Sequence, residues 1–174
     1  MGQSSRPIAA AYSPDGHILA AGDSAGNITL WDPSTGSERA ISIGHRRKIL
    51  SVAFSPDGEM LASASDFERF VKLWSVSSGR EQKTLKFESS WISVVQFSPL
   101  GQTLATGHLD GTVILWNCGT GEQDAKIKAA QGSIHALAFT ADGLTLASGG
   151  EDGKVKLWNL PVVAPARHSS AGTH

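Results

Sequence analysis

The chain has 174 residues, of which 40% are hydrophobic and 18% are charged. Its 15 lysines and arginines are balanced by 16 aspartates and glutamates, so the formal net charge is -1 and the global basic excess of a typical nucleic-acid-binding protein is absent. The only cysteine, Cys118, excludes an internal disulfide.

The N-terminal residues are not followed by an apolar run that could serve as a signal peptide. The sequence also contains no stretch of roughly eighteen apolar residues, the length that a membrane-spanning helix requires. We therefore expect a cytoplasmic protein.

In chain order, the predicted elements are short strands that recur with one period. A strand ending on an aromatic residue runs into a turn at YSPDG (12–16), FSPDG (54–58), FSPLG (97–101) and FTADG (139–143). A strand of small residues follows at LAAGD (19–23), LASAS (61–65), LATGH (104–108) and LASGG (146–150). A third strand ends on Trp31, Trp74, Trp116 and Trp158, which are 43, 42 and 42 residues apart. Three markers sharing one period over four copies predict a repeat protein.

Each copy predicts four antiparallel strands. Proline presets one backbone angle and glycine accepts positive φ, so Ser-Pro-Asp-Gly makes a tight turn. After the tryptophan, a Ser-Gly or Thr-Gly turn leads into a more polar fourth strand at residues 39–43, 83–87 and 125–128. Four strands without helical periodicity are typical of one β-propeller blade, and stacked blades bury each other's faces.

With these markers, the sequence resembles the WD-repeat family over about residues 6–160. The resemblance implies an all-β propeller with repeats at about 6–45, 46–88, 89–130 and 131–160, followed by a tail (161–174) that we expect to be disordered. Family members are rigid interaction platforms that as a rule lack an active site. The implied function is a non-catalytic scaffold for protein partners, with no cofactor.

Well-formed blades of this family contain a hydrogen-bonded set of a His before the first strand, a Ser or Thr on the second, an Asp in the next turn, and the Trp. The resemblance assigns to it His45, Ser63 and Trp74 in repeat two, Thr106, Asp110 and Trp116 in repeat three, and Ser148, Asp152 and Trp158 in repeat four. No repeat is assigned a complete set, so we expect moderate stability.

The gaps in these sets differ between repeats. An extra residue in turn 65–70 leaves either Asp66 or Glu68 as the acid of repeat two. Repeats three and four have Phe87-Glu88 and Ala129-Ala130 where Gly-His is expected, and in repeat one Ala21 and Ala25 replace the Ser and the Asp, which leaves Trp31 alone.

The histidines show no metal-binding spacing. His108 is expected to be a solvated turn residue, and His135, within a first strand, to be packed between blades. Cys118 lies in turn 117–121, and no motif places a base beside it. The sequence therefore predicts neither an enzyme nor a metal site.

In the family, the loops before the first strand and between the second and third strands lie on the face that usually binds partners. The departures from the repeat on this face are Arg46, Arg47 and Lys48, then Phe67 and Arg69, and then Trp91. Interface hot spots are enriched in Trp, Tyr and Arg, so these six residues form the predicted partner-binding set. The alternative is that Trp91 packs between blades and the basic run is merely solvated.

Two other functions stay open. The basic loop 46–48 could contact nucleic acid or a phosphate ligand, although three positive charges make a weak electrostatic case. The chain could also be a regulatory or sensor fragment of a larger multidomain protein.

Propeller rings have 4–8 blades, and the family resembles the larger members, so four repeats predict an open arc. The family's N-terminus commonly supplies the outermost strand of the last blade, yet only residues 1–5 precede the first predicted strand, and Pro161 and Pro165 follow the fourth repeat closely. We expect either the C-terminal part of a larger propeller or a ring completed by a second chain, including a second copy.

Overall fold

The computed structural model describes residues 5–88 and 90–160. Within them, every regular element is a β-strand. In chain order, the strands are β1 (Pro7–Tyr12), β2 (Leu19–Asp23), β3 (Asn27–Trp31), β4 (Glu38–Ile43), β5 (Ile49–Phe54), β6 (Met60–Ser65), β7 (Phe70–Ser75), β8 (Glu81–Lys86), β9 (Ile92–Phe97), β10 (Thr103–His108), β11 (Thr112–Asn117), β12 (Gln123–Lys128), β13 (Ile134–Phe139), β14 (Thr145–Gly150) and β15 (Val155–Asn159).

The strands form four antiparallel sheets, here called blades 1 to 4. Blade 1 has the order β1-β2-β3-β4, blade 2 β5-β6-β7-β8, and blade 3 β9-β10-β11-β12. Within the described residues, blade 4 has the order β13-β14-β15. The prediction of an all-β fold built from four antiparallel blades is confirmed. The predicted tail, 161–174, lies outside the described residues.

The turn after each innermost strand is closed by a hydroxyl group. Ser13, Ser55 and Thr140 each accept a hydrogen bond from the backbone N–H five residues later, at 2.9, 2.9 and 3.0 Å. The glycine of the turn has positive φ, 72° at Gly58 and 75° at Gly101, a conformation that glycine adopts without a Cβ clash. These turns end the first strand of each blade at the aromatic residue.

The blades stack in chain order through their innermost strands, β1 against β5, β5 against β9, and β9 against β13. Apolar side chains of one blade pack into those of the next, as Val113 and Leu115 of blade 3 pack with Ile134 of blade 4. The approach is close enough to require a glycine, since a Cβ on Gly107 would lie 2.6 Å from Ile134 Cγ2.

The outer face of blade 4 is uncovered within the described part of the chain. Val155 and Leu157 are 75% and 69% exposed, whereas their counterparts in blade 3, Val113 and Leu115, are 0% and 5% exposed. The four described blades therefore form an open arc, as the repeat number predicted. Among the described residues, no helix has the length and apolarity needed to cross a membrane.

Candidate interaction surface

Blade 2 contains a hydrogen-bonded chain of four side chains. Trp74 Nε1 donates to Ser63 Oγ at 2.8 Å, and Ser63 Oγ lies 2.7 Å from His45 Nε2. The other ring nitrogen of His45, Nδ1, bonds the carboxylate of Glu68. Of the two acids that the sequence left open, Glu68 therefore completes the set in this blade.

Glu68 also ties two loops together. One carboxylate oxygen contacts His45, while the other accepts the backbone N–H of Arg46 at 3.0 Å. Burial lowers the pKa of His45, and the hydrogen bond and negative charge of Glu68 oppose that shift. The loop that precedes β5 and the loop between β6 and β7 are thereby held as one rigid unit.

In blade 3 the imidazole comes from another place in the chain. His108, at the end of β10, places Nε2 2.8 Å from Thr106 Oγ1, which accepts a hydrogen bond from Trp116 Nε1 at 3.0 Å. The prediction that His108 is a solvated turn residue is wrong, because its side chain is buried. The available signal was its position two residues beyond Thr106, since residues two apart on a strand share one face.

Phe87, one residue before the position of the expected histidine, packs on this group. Its ring centroid lies 4.5 Å from that of His108 and 5.9 Å from that of Trp116. Burial lowers the pKa of His108 to about 4, an effect that the charge of Asp110 only partly offsets. The carboxylate of Asp110 accepts the N–H of Thr112 at 3.0 Å and so caps the turn. Because His108 supplies the imidazole of this blade, the loop after Phe87 does not supply one.

The two end blades have less complete sets. In blade 4, Trp158 Nε1 donates to Ser148 Oγ at 2.9 Å, and Asp152 pairs with Lys156 at 3.3 Å. Buried Ala130 stands where the sequence alignment expects a histidine. In blade 1, Trp31 is partly exposed, and no hydrogen bond to its indole occurs within the described residues.

The remaining candidates for a chemical role are Cys118, which is buried and unreactive, and His135, which is exposed. Burial raises the pKa of the Cys118 thiol to about 12, which keeps it protonated and poorly nucleophilic. His135, predicted to be packed between blades, is exposed. Its counterpart Ser93 bonds Ile134 of the next blade, whereas no further blade lies against blade 4 within residues 5–88 and 90–160. No group of three metal-ligating side chains occurs in the described part of the chain.

The predicted basic loop is divided by the structure. Lys48 forms an ion pair with Asp66 at 3.1 Å. Arg46 and Arg47 are exposed, and no ion pair to either guanidinium occurs among residues 5–88 and 90–160. Because Ser65 Oγ donates to the Arg47 carbonyl at 2.9 Å, the backbone is fixed while both guanidiniums remain accessible.

Phe67 and Trp91, from neighbouring blades, meet at the surface. Their ring centroids are 4.9 Å apart at an interplanar angle of 75°, and the side chains are 59% and 38% exposed. Arg69 joins their two loops, because its Nη1 donates to the Glu88 carbonyl at 3.1 Å. The structure thus places Trp91 at the surface and brings it together with Phe67 and Arg69.

Phe67 has a φ of 56°, in the left-handed region. In the matching turns of blades 1, 3 and 4, glycines take positive φ, namely Gly26, Gly111 and Gly153. For a residue with a side chain this conformation costs about 1–2 kcal/mol. Strain of this kind concentrates at functional sites, so Phe67 is a candidate contact residue.

One backbone hydrogen bond on this face recurs in every blade. The N–H of Ser24, Asp66, Leu109 and Glu151 donates to the carbonyl of Arg6, Lys48, Trp91 and Ser133, respectively, at 2.8 to 3.0 Å. In three blades a polar side chain also links the two residues of the pair. Ser24 Oγ accepts the Arg6 N–H, the Asp66 carboxylate forms an ion pair with Lys48, and the Glu151 carboxylate accepts the Ser133 N–H. Blade 3 differs, because both of its members are large apolar residues.

Leu109 is the member of this pair that sequence reasoning missed. Its side chain is 37% exposed, and the signal was an apolar residue in a turn whose counterparts are Ser24, Asp66 and Glu151. Phe67, Trp91 and Leu109 together are called the apolar strip below. Large exposed apolar groups side by side on loops are a mark of interaction sites.

A family model described as "WD domain, G-beta repeat" matches the chain four times, over residues 2–32, 36–75, 79–117 and 121–159. Together these matches span most of the sequence, in phase with the four blades.

Several curated proteins are similar to parts of the chain. WD repeat-containing protein SL1-17 of Schistosoma mansoni is 46% identical over 40% of this chain and 23% of its own length. Pre-mRNA-processing factor 19 homolog 2 of Arabidopsis thaliana is 34% identical over 59% of this chain and 19% of its own length. The uncharacterized WD repeat-containing protein sll1491 of Synechocystis is 36% identical over 56% of this chain and 28% of its own length. The chain thus matches under a third of the length of each of these relatives.

Proposed function

Because the chain belongs to the WD-repeat family, whose members generally act as protein-interaction scaffolds, we propose that it is a non-catalytic scaffold that binds protein partners through the apolar strip. The observation that carries this proposal is the exposed Phe67–Trp91 pair at the junction of blades 2 and 3. Leu109 extends the pair on the blade 3 side.

The six predicted residues have different surroundings in the structure, and we assign them different roles in binding. Phe67 and Trp91 are the anchors, because aromatic residues that a partner buries at the centre of an interface supply most of its affinity. Arg46 and Arg47 form a charged rim, which governs association rate and specificity. Arg69 and Lys48 are exposed but have intramolecular partners and position the loops, since Arg69 bonds the Glu88 carbonyl and Lys48 is paired with Asp66.

This ion pair also bears on nucleic-acid contact, the alternative function of the basic loop. The sequence places three positive charges on this loop. Because Lys48 is paired with Asp66, the guanidiniums of Arg46 and Arg47 are the two that remain for phosphate contacts. Affinity for nucleic acid rises with the number of phosphates that a protein neutralises, so the pairing of Lys48 favours a protein partner.

A second contact is proposed at the ends of the arc. Val155 and Leu157 are exposed on blade 4, and Tyr12 and Trp31 on blade 1. In the interior of the arc, the matching residues pack blade against blade. We propose that these end faces take a further blade of the same kind, which a second copy of the chain can supply.

Trp91→Ala and Phe67→Gly together test the apolar strip. Trp91→Ala is expected to weaken partner capture by at least about 2 kcal/mol with little change in melting temperature. Phe67→Gly removes the ring and also relieves the left-handed strain, so capture is expected to fall while the melting temperature stays level or rises. The measurement is a pull-down from source lysate beside a thermal melt of each variant.

Leu100→Ala is the matched control, because Leu100 is an exposed apolar residue at the opposite end of β9. It is expected to leave both readings unchanged. If Trp91→Ala and Phe67→Gly unfold early and lose every partner alike, the two rings belong to the core and the strip is not a binding surface.

A further inference from the structure

We infer that the apolar strip binds a short acidic segment of a partner protein, with a bulky apolar side chain on the strip and carboxylates against Arg46 and Arg47. This inference rests on the proposed function and adds the chemistry of the partner. It is carried by the size of the strip, the balance of charges around it, and the angle between its rings.

The size of the strip favours a segment over a folded domain. A standard interface between domains uses about 20–30 residues on each side, whereas the strip has three side chains. The equivalent residue pairs in blades 2 and 4, on either side of the strip, are polar and bond each other: Asp66 pairs with Lys48, and Glu151 accepts the Ser133 N–H. The apolar surface is therefore bounded on both sides, at a width that suits one or two bulky residues of a bound segment.

The charges around the strip favour an acidic segment. Glu68 is turned inward to His45 and the Arg46 N–H, and Asp66 is paired with Lys48. Arg69 donates to the backbone carbonyl of Glu88, and the positive charge of Arg69 is matched by the negative charge of the Glu88 side chain on the same surface. Arg46 and Arg47 remain as the uncompensated charges on the loop that Glu68 fixes beside Phe67. Guanidinium groups bind carboxylates in a bidentate geometry, so an acidic segment would be both attracted and oriented.

The ring geometry disfavours a single-stranded nucleic acid as the occupant. Proteins that bind single strands stack successive bases on flat aromatic faces along a basic groove. Here the two rings meet edge to face, at 75°, and the third member of the strip is the aliphatic Leu109. Such a surface accepts aliphatic or aromatic side chains of a peptide and offers no run of parallel platforms.

The binding unit is already ordered before a partner arrives. Glu68 ties the Phe67 loop to the Arg46 loop, and Arg69 ties it to the Trp91 loop. Preorganised loops lose less conformational entropy on binding, so a short segment can gain useful affinity from few contacts.

The test begins with a random peptide library displayed on phage and selected on the full chain, with counter-selection on Trp91→Ala. A selected peptide is then labelled and titrated by fluorescence anisotropy. We expect the selected sequences to combine Asp or Glu with a bulky apolar residue. The double variant Arg46→Glu/Arg47→Glu should weaken binding at least about tenfold, and binding should fall as salt screens the charges.

Lys154→Glu, a charge reversal at an exposed lysine in blade 4, is the matched control and should leave the titration unchanged. Replacing the peptide's acidic residues with lysine should restore its binding to the double variant. An oligothymidylate that bound more tightly than the peptide and lost binding in the double variant would overturn the inference.

Two further outcomes separate this inference from the proposed function. If selected peptides lose binding with Phe67→Gly but are indifferent to Arg46→Glu/Arg47→Glu, the acidic chemistry is wrong and the strip remains a binding site. If neither variant changes the titration, both the inference and the proposed site are wrong.

Discussion

Among the described residues, blades 2 and 3 are covered on both faces, whereas blades 1 and 4 are each covered on one, although all four follow the same repeat. Trp74 and Trp116 of the inner blades are 1% and 3% exposed, and Trp31 of blade 1 is 36% exposed. A repeat therefore specifies half of an interface, and the neighbouring blade decides whether its apolar residues become core. The stability of a given side chain depends on its place in the arc as much as on its type.

The inner blades also differ from each other in how they build the same hydrogen-bonded group. Blade 2 takes its imidazole from the loop before β5 and pairs it with Glu68, while blade 3 takes it from the end of β10. The loop before β9 thus carries no histidine and presents Trp91. The two blades therefore satisfy the same tryptophan with imidazoles from different elements, and their equivalent loops differ in what they expose.

The largest expected difference between inner and end blades concerns their tryptophans. Trp116→Ala should lower the free energy of unfolding by about 3–5 kcal/mol, the usual loss for a buried large aromatic. Trp31→Ala should lower it by at most about half as much, because its indole is partly hydrated and has no hydrogen bond among the described residues. Urea unfolding followed by circular dichroism measures both. Equal losses would show that the end blade is packed as tightly as the inner one.

The next difference separates the two buried imidazoles. His108 has a folded pKa of about 4, below the ordinary 6.5. The unfolded chain therefore binds the proton more readily, so the stability from this group is present above about pH 6.5 and is lost as pH falls towards about 4. The loss is on the order of 3 kcal/mol. It should be smaller for His45, since Glu68 favours the protonated ring.

His108→Gln and His45→Gln supply the comparison for this pH effect. Denaturant unfolding at about pH 7 and about pH 4 should show that His108→Gln removes more of the acid sensitivity than His45→Gln does. Asp110 and Lys126 act on His108 with opposite signs, and both remain in each variant. An unchanged pH profile in His108→Gln would mean that the ring is not held neutral by burial.

The repeat period, the strands and the open arc could be predicted from the sequence because each depends on local patterns that recur in phase. The alternatives at Asp66 and Glu68 could not be resolved, because the extra residue in that turn changes which carboxylate reaches His45. His108 was misplaced because its burial depends on Phe87, which lies far from it in the chain. Leu109 was missed because its role becomes visible only when the equivalent loop pairs of all four blades are compared in space.

A charge placed on the end face of blade 4 should have the smallest effect on stability. It also tests most directly how the end blades behave. Leu157 is exposed, so Leu157→Lys should hardly change the unfolding of a single chain. The wild-type chain should nevertheless self-associate, because an exposed apolar sheet face favours pairing with another chain. A contact between the blade 4 face of one copy and the blade 1 face of another is head to tail, and it closes into a ring only if the rotation between copies permits.

Light scattering at increasing protein concentration gives the mass directly, and two copies would supply eight blades. Leu157→Lys should return the mass to that of one chain, since a charge desolvated in such a contact is costly. Leu100→Lys, which places the same charge on an exposed residue away from the end faces, should leave the assembly intact. A wild-type chain that stays monomeric at high concentration would argue against the contact, and an assembly that survives Leu157→Lys would place it elsewhere on the surface.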